Sequence, residues 1–174
     1  MTATEYIQMR AFARVDGLKL FALWIVSFIC YVAGFTKPML GMLALLLAFF
    51  TPFLVTRLLK KFRDNGLDGI ISFGRGWGYV VFLFFYASLL FAACQFVYFN
   101  YMDKGYFMTA LVDMFNDAET SQAMRQLGMG DTMTQSMEQL KAMRPIDLVL
   151  NIMTSNLMLG CILAIPIAAL CKHK

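Results

Sequence analysis

Apolar residues are concentrated in four long runs, at about residues 18–36, 39–59, 77–102 and 146–171. A bilayer's hydrocarbon core is about 30 Å thick, and a helix crosses it with about 20 residues because each residue adds about 1.5 Å. Every run is long enough, and the alternation typical of a membrane-spanning strand is absent. We therefore predict an all-α fold: an integral membrane bundle of four transmembrane helices.

The four runs take up about half of the 174 residues, so we expect a single membrane domain over residues 1–174. Residues 1–17 mix aromatic, aliphatic and basic residues, which is typical of an amphipathic segment. Two interpretations remain open for this segment: a helix lying on the membrane surface, or an extension of the first span. Only residues 37–38 separate the first two runs, which predicts a tight helical hairpin.

The longest segment between two runs covers residues 103–145. Its apolar residues recur at steps of three and four, which predicts an amphipathic helical loop between spans three and four. We expect two helices there, the second with Asp131 as its N-cap. Ahead of the third run, Gly74, Gly76 and Gly78 indicate an elbow that leads into the span.

Basic residues indicate the orientation of the bundle. Ten of the 15 Lys and Arg residues lie before or at the start of the first run, at the end of run two, between runs two and three, or after run four. Lys and Arg are enriched in cytoplasmic segments of membrane proteins. We therefore predict a multi-pass membrane protein with both termini cytoplasmic and residues 103–145 outside the cytoplasm.

A basic cluster at the end of the second run precedes a helix stop at Asn65 and Gly66. Cations at this position suit the anionic headgroups of membrane lipids, although they also serve to set the topology. The candidate anionic-lipid contacts are Arg57, Lys60, Lys61 and Arg63.

Polar residues recur every fourth position at the start of the fourth run, which places them on one helix face. Polar groups inside a membrane mark candidate functional sites, but they also form hydrogen bonds between helices. The candidate polar pocket consists of Asn100, Asp147, Asn151 and Ser155.

The loop at residues 103–145 is rich in methionine, and flexible methionine faces suit adaptable protein contacts. Its methionines lack the closely repeated spacing of Cu(I) sites, so we predict no metal or other cofactor. The candidate partner-binding face consists of Phe107, Leu111, Met114, Phe115, Met133, Met137 and Leu140.

Enzyme chemistry has little support in the sequence. The single histidine, His173, lies in the tail, and the four cysteines lack metal-binding or disulfide spacing. The net charge of +4 arises from residues that flank the spans, so we predict no nucleic-acid partner. Two stripes of small residues predict close helix packing, either within the chain or in a homo-oligomer: Gly41, Ala44 and Ala48, and Gly160, Ala164 and Ala168.

Three short motifs accompany this layout: Thr36-Lys-Pro38, Ile71-Ser-Phe-Gly-Arg75 and Tyr98-Phe-Asn-Tyr-Met-Asp103. Together with the four spans they resemble a bacterial family of small four-span membrane proteins known only as a domain of unknown function. Genes of that family often look like neighbours of polyprenyl-phosphate glycosyltransferase-type genes. The resemblance therefore implies a protein of the bacterial cytoplasmic (inner) membrane with an accessory role in envelope glycan assembly.

We therefore expect a non-enzymatic inner-membrane protein, an accessory or interaction subunit of an envelope-related membrane complex. Its expected partners are membrane lipids and either another membrane protein or further copies of the chain. The alternative function is a small transporter or lipid-handling protein with a polar pocket in span four.

Overall fold

The computed structural model describes residues 3–172, without the side chains of Ala3, Glu119, Ala123, Asp131 and Met133. Residues 3–172 form helices and no β-strand. A π-helical turn, Tyr98–Met102, continues one of the α-helices. The α-helices in chain order are α1 (Ala3–Gly34), α2 (Pro38–Phe49), α3 (Thr51–Gly66), α4 (Phe73–Val97), α5 (Tyr106–Asn116), α6 (Ala118–Gln126), α7 (Gly130–Ala142) and α8 (Pro145–Cys171).

Four helical stretches of the described chain are long and apolar enough to span a membrane. This result confirms the all-helical fold with four candidate spans. The fourth starts within one residue of its predicted position, whereas the first and third begin earlier than predicted. The stretches are Thr4–Gly34, Pro38–Gly66, Phe73–Met102 and Pro145–Cys171.

Helix α1 is continuous through the amphipathic segment before the first apolar run. Of the two interpretations of residues 1–17, the extension of span one is therefore the one observed from Ala3 onward. Met9 and Ala13 are buried because this part of α1 packs against the rest of the bundle. At about 1.5 Å per residue the helix is about 48 Å long, which exceeds the hydrocarbon thickness.

Helix α4 lies at the centre of the bundle, between α1 and α8. Helix α2 packs on α1, and α3 returns to contact α8. A turn at Phe50 separates α2 from α3, because Pro52 lacks the backbone N–H that a continuous helix would use. We call the end holding the start of α1 and the end of α3 the basic end, and the end holding α5, α6 and α7 the capped end.

Small residues allow α8 and α4 to approach closely. A Cβ atom added to Gly160 would lie 2.5 Å from Cγ of Phe84, and Gly76 of α4 faces Ala168 of α8. Gly34 and Gly41 make a similarly close approach between α1 and α2. All of the stripe Gly160, Ala164 and Ala168 thus packs within the chain, as do Gly41 and Ala44 of the other stripe, whereas Ala48 is exposed.

The predicted glycine elbow does not form at Gly74, Gly76 and Gly78, which lie inside α4. Ser72 caps α4 by accepting a hydrogen bond from the backbone N–H of Arg75, so the helix begins ahead of the glycines. The change of direction occurs in the preceding segment, where Gly69 has a φ of 85°.

Three helices, rather than the predicted two, form between spans three and four. Asp103 fixes the start of α5, since its Oδ1 accepts a 2.9 Å hydrogen bond from the N–H of Phe107. The second predicted helix begins at Gly130, so Asp131 lies within the first turn of α7 rather than at its N-cap. Apolar side chains of α5 and α7 pack against the capped end of the bundle.

Candidate functional site

The polar residues predicted in span four form a stripe along one exposed face of α8. Asn151, Thr154 and Ser155 are exposed, and Asp147 is partly exposed. A shallow groove runs along this face, and α8 alone lines it, with Leu150 and Met158 among the lining residues. No other described part of the chain covers it. We call Asp147, Asn151, Thr154 and Ser155 the polar stripe.

Asn100, the fourth predicted pocket residue, does not join the polar stripe. Its Nδ2 donates a 2.9 Å hydrogen bond to the carbonyl of Phe96, on its own helix. Of the predicted pocket residues, the structure therefore brings Asp147, Asn151 and Ser155 together on the surface of a single helix and does not bring Asn100 to them.

The polar stripe lies opposite the packed face of α8. That packed face includes Gly160, Ala164 and Ile167, which are buried against the bundle. Positions 147, 151, 154 and 158 fall on the other side of the helix, since each residue adds about 100° of rotation. In a membrane the polar stripe faces outward from the bundle.

Contacts between α8 and α4 set the depth of the polar stripe. The two helices are antiparallel, with Gly160 level with Phe84 and Ala168 level with Gly76. Ser155 is accordingly level with about Leu89, near the middle of the candidate span Phe73–Met102. Asn151 is one turn nearer the capped end, about 6 Å away. Both side chains thus lie well inside the candidate spans.

Hydrogen bonds within α8 satisfy only part of the polar stripe. Oγ1 of Thr154 donates to the carbonyl of Leu150 at 2.8 Å, and Arg144 pairs with Asp147 at 2.8 Å. The side chains of Asn151 and Ser155 form no hydrogen bond with the described part of the chain. Their donors and acceptors are available to another molecule.

The same face of α8 changes character toward the basic end. Met158, Ile162 and Ile165 continue the face and are more than half exposed, as suits contact with lipid chains. Only the half nearer the capped end carries amides and hydroxyls. The contrast within one helix face makes the polar stripe a distinct surface.

A buried carboxylate at the basic end was missed by sequence reasoning. Asp16 of α1 is 5% exposed and accepts hydrogen bonds from Oη of Tyr79 at 2.5 Å and from Nζ of Lys19 at 2.6 Å. Lys19 lies three residues after Asp16, so the pairing had a sequence signal. The burial had none, because it depends on Tyr79 of α4.

Arg75 of α4 belongs to a hydrogen-bond network that links three helices at the basic end. Its Nη2 donates to Oε1 of Gln8 at 3.2 Å, and its Nη1 lies 3.4 Å from a carboxylate oxygen of Glu5. Gln8 in turn donates to the carbonyl of Gly66 at 3.1 Å. The network joins the start of α1, the end of α3 and the first turn of α4, so Arg75 holds the basic end together.

Four basic residues were predicted as anionic-lipid contacts, and the structure separates one of them from the rest. Arg63 is partly buried, pairs with Asp64 at 2.7 Å and donates to the carbonyl of Cys171 at 3.3 Å. It thus connects α3 to the end of α8. Arg57, Lys60 and Lys61 are exposed on α3.

The predicted partner-binding face is turned largely inward. Phe107 and Leu111 are each 9% exposed and pack with Phe99 and Val149. The apolar side of α5 thus covers the capped end of this chain. Phe115, Met137 and Leu140 are partly buried in the same cluster, Met114 is 44% exposed, and Met133 lies outside the described side chains.

Comparison with known proteins gives a family and no function. No curated protein and no solved structure matches the chain. One family model, described as a protein of unknown function (DUF4199), matches residues 16–173. That range includes all of the polar stripe and nearly all of the four candidate spans. The chain therefore belongs to the DUF4199 family.

Proposed function

We propose that the protein is a non-enzymatic interaction subunit of a membrane complex, and that it binds a transmembrane helix of another membrane protein along the polar stripe of α8. The exposure of Asn151 and Ser155 well inside the candidate spans carries this proposal. Polar side chains at such positions form hydrogen bonds to neighbouring helices in membrane proteins. The described chain provides no such neighbour for them.

Interhelical hydrogen bonds of this kind contribute about 0.6–2 kcal/mol each. Asn151 and Ser155 lie one turn apart and so can bond to one facing helix at successive turns. The apolar half of the same face, from Met158 onward, then remains in contact with lipid. A partner helix is thus expected to cross α8 near the capped end and diverge toward the basic end.

The proposed complex lies in the bacterial cytoplasmic membrane, with both termini cytoplasmic and α5 to α7 outside. The excess of Lys and Arg at the basic end supports this orientation. The proposed role in envelope assembly is supported by the family resemblance described above. A transporter has less support, because the polar stripe lies on the surface of one helix rather than around a cavity.

Purification from native membranes tests the proposal. The tagged protein and a variant with Asn151→Leu and Ser155→Leu are compared by quantitative mass spectrometry of co-purifying membrane proteins. Ile162→Leu, on the same face of α8, is the matched control. We expect one stoichiometric partner, retained by the control and lost from the double variant.

Two results would argue against the proposal. A partner retained equally by the double variant would show that it binds elsewhere on the protein. Co-purification of a differently tagged copy of this chain, lost in the double variant and with no other protein present, would show that the polar stripe forms a homo-oligomer.

A further inference from the structure

A cleft at the basic end lies between α1 and α3, with a volume of about 360 Å³. Lys19 of α1 and Lys61 of α3 both line it, so two helices each contribute a basic side chain to one space. Phe12 and Val15 form an apolar wall beside them. We name this space the lysine cleft.

We propose that the lysine cleft binds a phospholipid, with its phosphate between Lys19 and Lys61 and its hydrocarbon against Phe12 and Val15. The three ionisable residues that line the cleft are these two lysines and Asp16, so the lining carries a net charge of +1. An anionic headgroup complements that charge. The carboxylate of Asp16 already accepts hydrogen bonds from Tyr79 and Lys19, and these bonds reduce its repulsion of the anionic headgroup.

The walls of the lysine cleft are held in place before any ligand binds. Phe62 is 1% exposed and stacks on Tyr79 with ring centroids 4.7 Å apart. Phe12 packs against Phe62 at 5.1 Å. A hydrogen bond from Lys19 to Asp16 fixes the ammonium group at one side of the cleft. Pre-organised sites of this kind lose little freedom on binding.

A membrane lipid fits better than a soluble phosphate compound. Phe12 is 38% exposed and Val15 is 55% exposed, and a free phosphate would leave both in contact with water. Both α1 and α3 belong to candidate membrane spans, so a lipid reaches the cleft from within its own leaflet. The lysine cleft is on a different part of the chain from the polar stripe and does not depend on the proposed partner.

Native mass spectrometry of the purified full-length protein tests this inference. The protein is titrated with phosphatidylglycerol and, separately, with phosphatidylcholine, and lipid adducts are counted. We expect tighter binding of phosphatidylglycerol, weakened about fivefold in Lys61→Gln, because an interfacial lysine contributes about 1 kcal/mol. Lys37→Gln is the control, since Lys37 is an exposed lysine at the capped end and does not line the cleft.

Val15→Trp provides a second variant that fills the cleft without changing its charge. We expect it to reduce phosphatidylglycerol binding as well, and it replaces Lys61→Gln if that variant does not fold. Equal affinity of Lys61→Gln and Lys37→Gln, or of Val15→Trp and the native protein, would overturn the inference. Displacement of the lipid by millimolar inorganic phosphate would also overturn it, because the ligand would then be a soluble anion.

Discussion

The close approach of α8 to α4 at Gly160 predicts a measurable loss of stability on adding one methyl group. In Gly160→Ala the new Cβ would lie 2.5 Å from Cγ, 2.7 Å from Cβ and 2.7 Å from Cδ1 of Phe84. The Cβ and Cγ atoms of Phe84 are close to the backbone of α4, and the Phe84 ring is fully buried against Trp24. The clash is therefore relieved only by moving the helices apart.

Gly74→Ala is the matched control, because a Cβ on Gly74 of α4 meets nothing within 4 Å. Alanine favours a helix over glycine by about 1 kcal/mol, and this gain applies to both variants. Overpacking of a well-packed site costs about 1–3 kcal/mol. We therefore expect the free energy of unfolding of Gly160→Ala to be lower than that of Gly74→Ala by about 1–3 kcal/mol.

The assay is reversible unfolding in mixed detergent micelles, followed by circular dichroism with all variants in the same detergent. Equal unfolding free energies for Gly160→Ala and Gly74→Ala would refute the reasoning, since they would show that α4 and α8 are not in close contact at Phe84. A Gly160→Ala variant more stable than the native protein would refute it more strongly.

Three further predictions concern buried groups. Tyr79→Phe removes a hydrogen bond to the buried carboxylate of Asp16, so we expect its free energy of unfolding to fall by about 1.5–3 kcal/mol. Tyr86→Phe loses an exposed hydrogen bond, and its free energy of unfolding should change by less than about 1 kcal/mol. Equal losses in the two variants would contradict the burial of Asp16. Thr51→Val removes the 3.1 Å hydrogen bond that Thr51 accepts from the indole N–H of Trp24. Thermal unfolding should show a loss of about 1 kcal/mol in the free energy of unfolding. Cys171 is fully buried, so a membrane-permeant maleimide should label it only after the protein is unfolded, and labelling of Cys171 in the folded protein, detected by peptide mass spectrometry, would contradict the packing of the basic end.

The spans could be predicted because the length of an apolar run directly reflects the bilayer thickness. The fourth run was predicted from residue 146, and α8 begins at Pro145. The start of the first span was harder to place, because Arg10, Arg14 and Asp16 interrupt the apolar pattern although the helix continues through them. Helix continuity there depends on packing against α3 and α4 rather than on local composition.

The direction of each amphipathic face could not be predicted from the sequence. The periodicity of α5 identifies Phe107 and Leu111 as one face, but it contains no information on whether a partner or the same chain covers that face. The periodicity of α8 likewise did not show whether its polar face is covered, and here the face is exposed. Asn151 and Ser155 were correctly placed on one face, and their outward direction became evident only from the contact of Gly160 with Phe84 on the other side.

Photo-crosslinking within the membrane tests the central claim most directly. A photoreactive amino acid is placed at Ser155 in the polar stripe and, in a separate variant, at Leu90, an exposed apolar position on α4. The account predicts that irradiation of intact cells gives one discrete adduct to another membrane protein from Ser155 and none from Leu90. A Ser155 variant that reacts only with lipid would contradict the account, because the polar stripe would then have no protein partner.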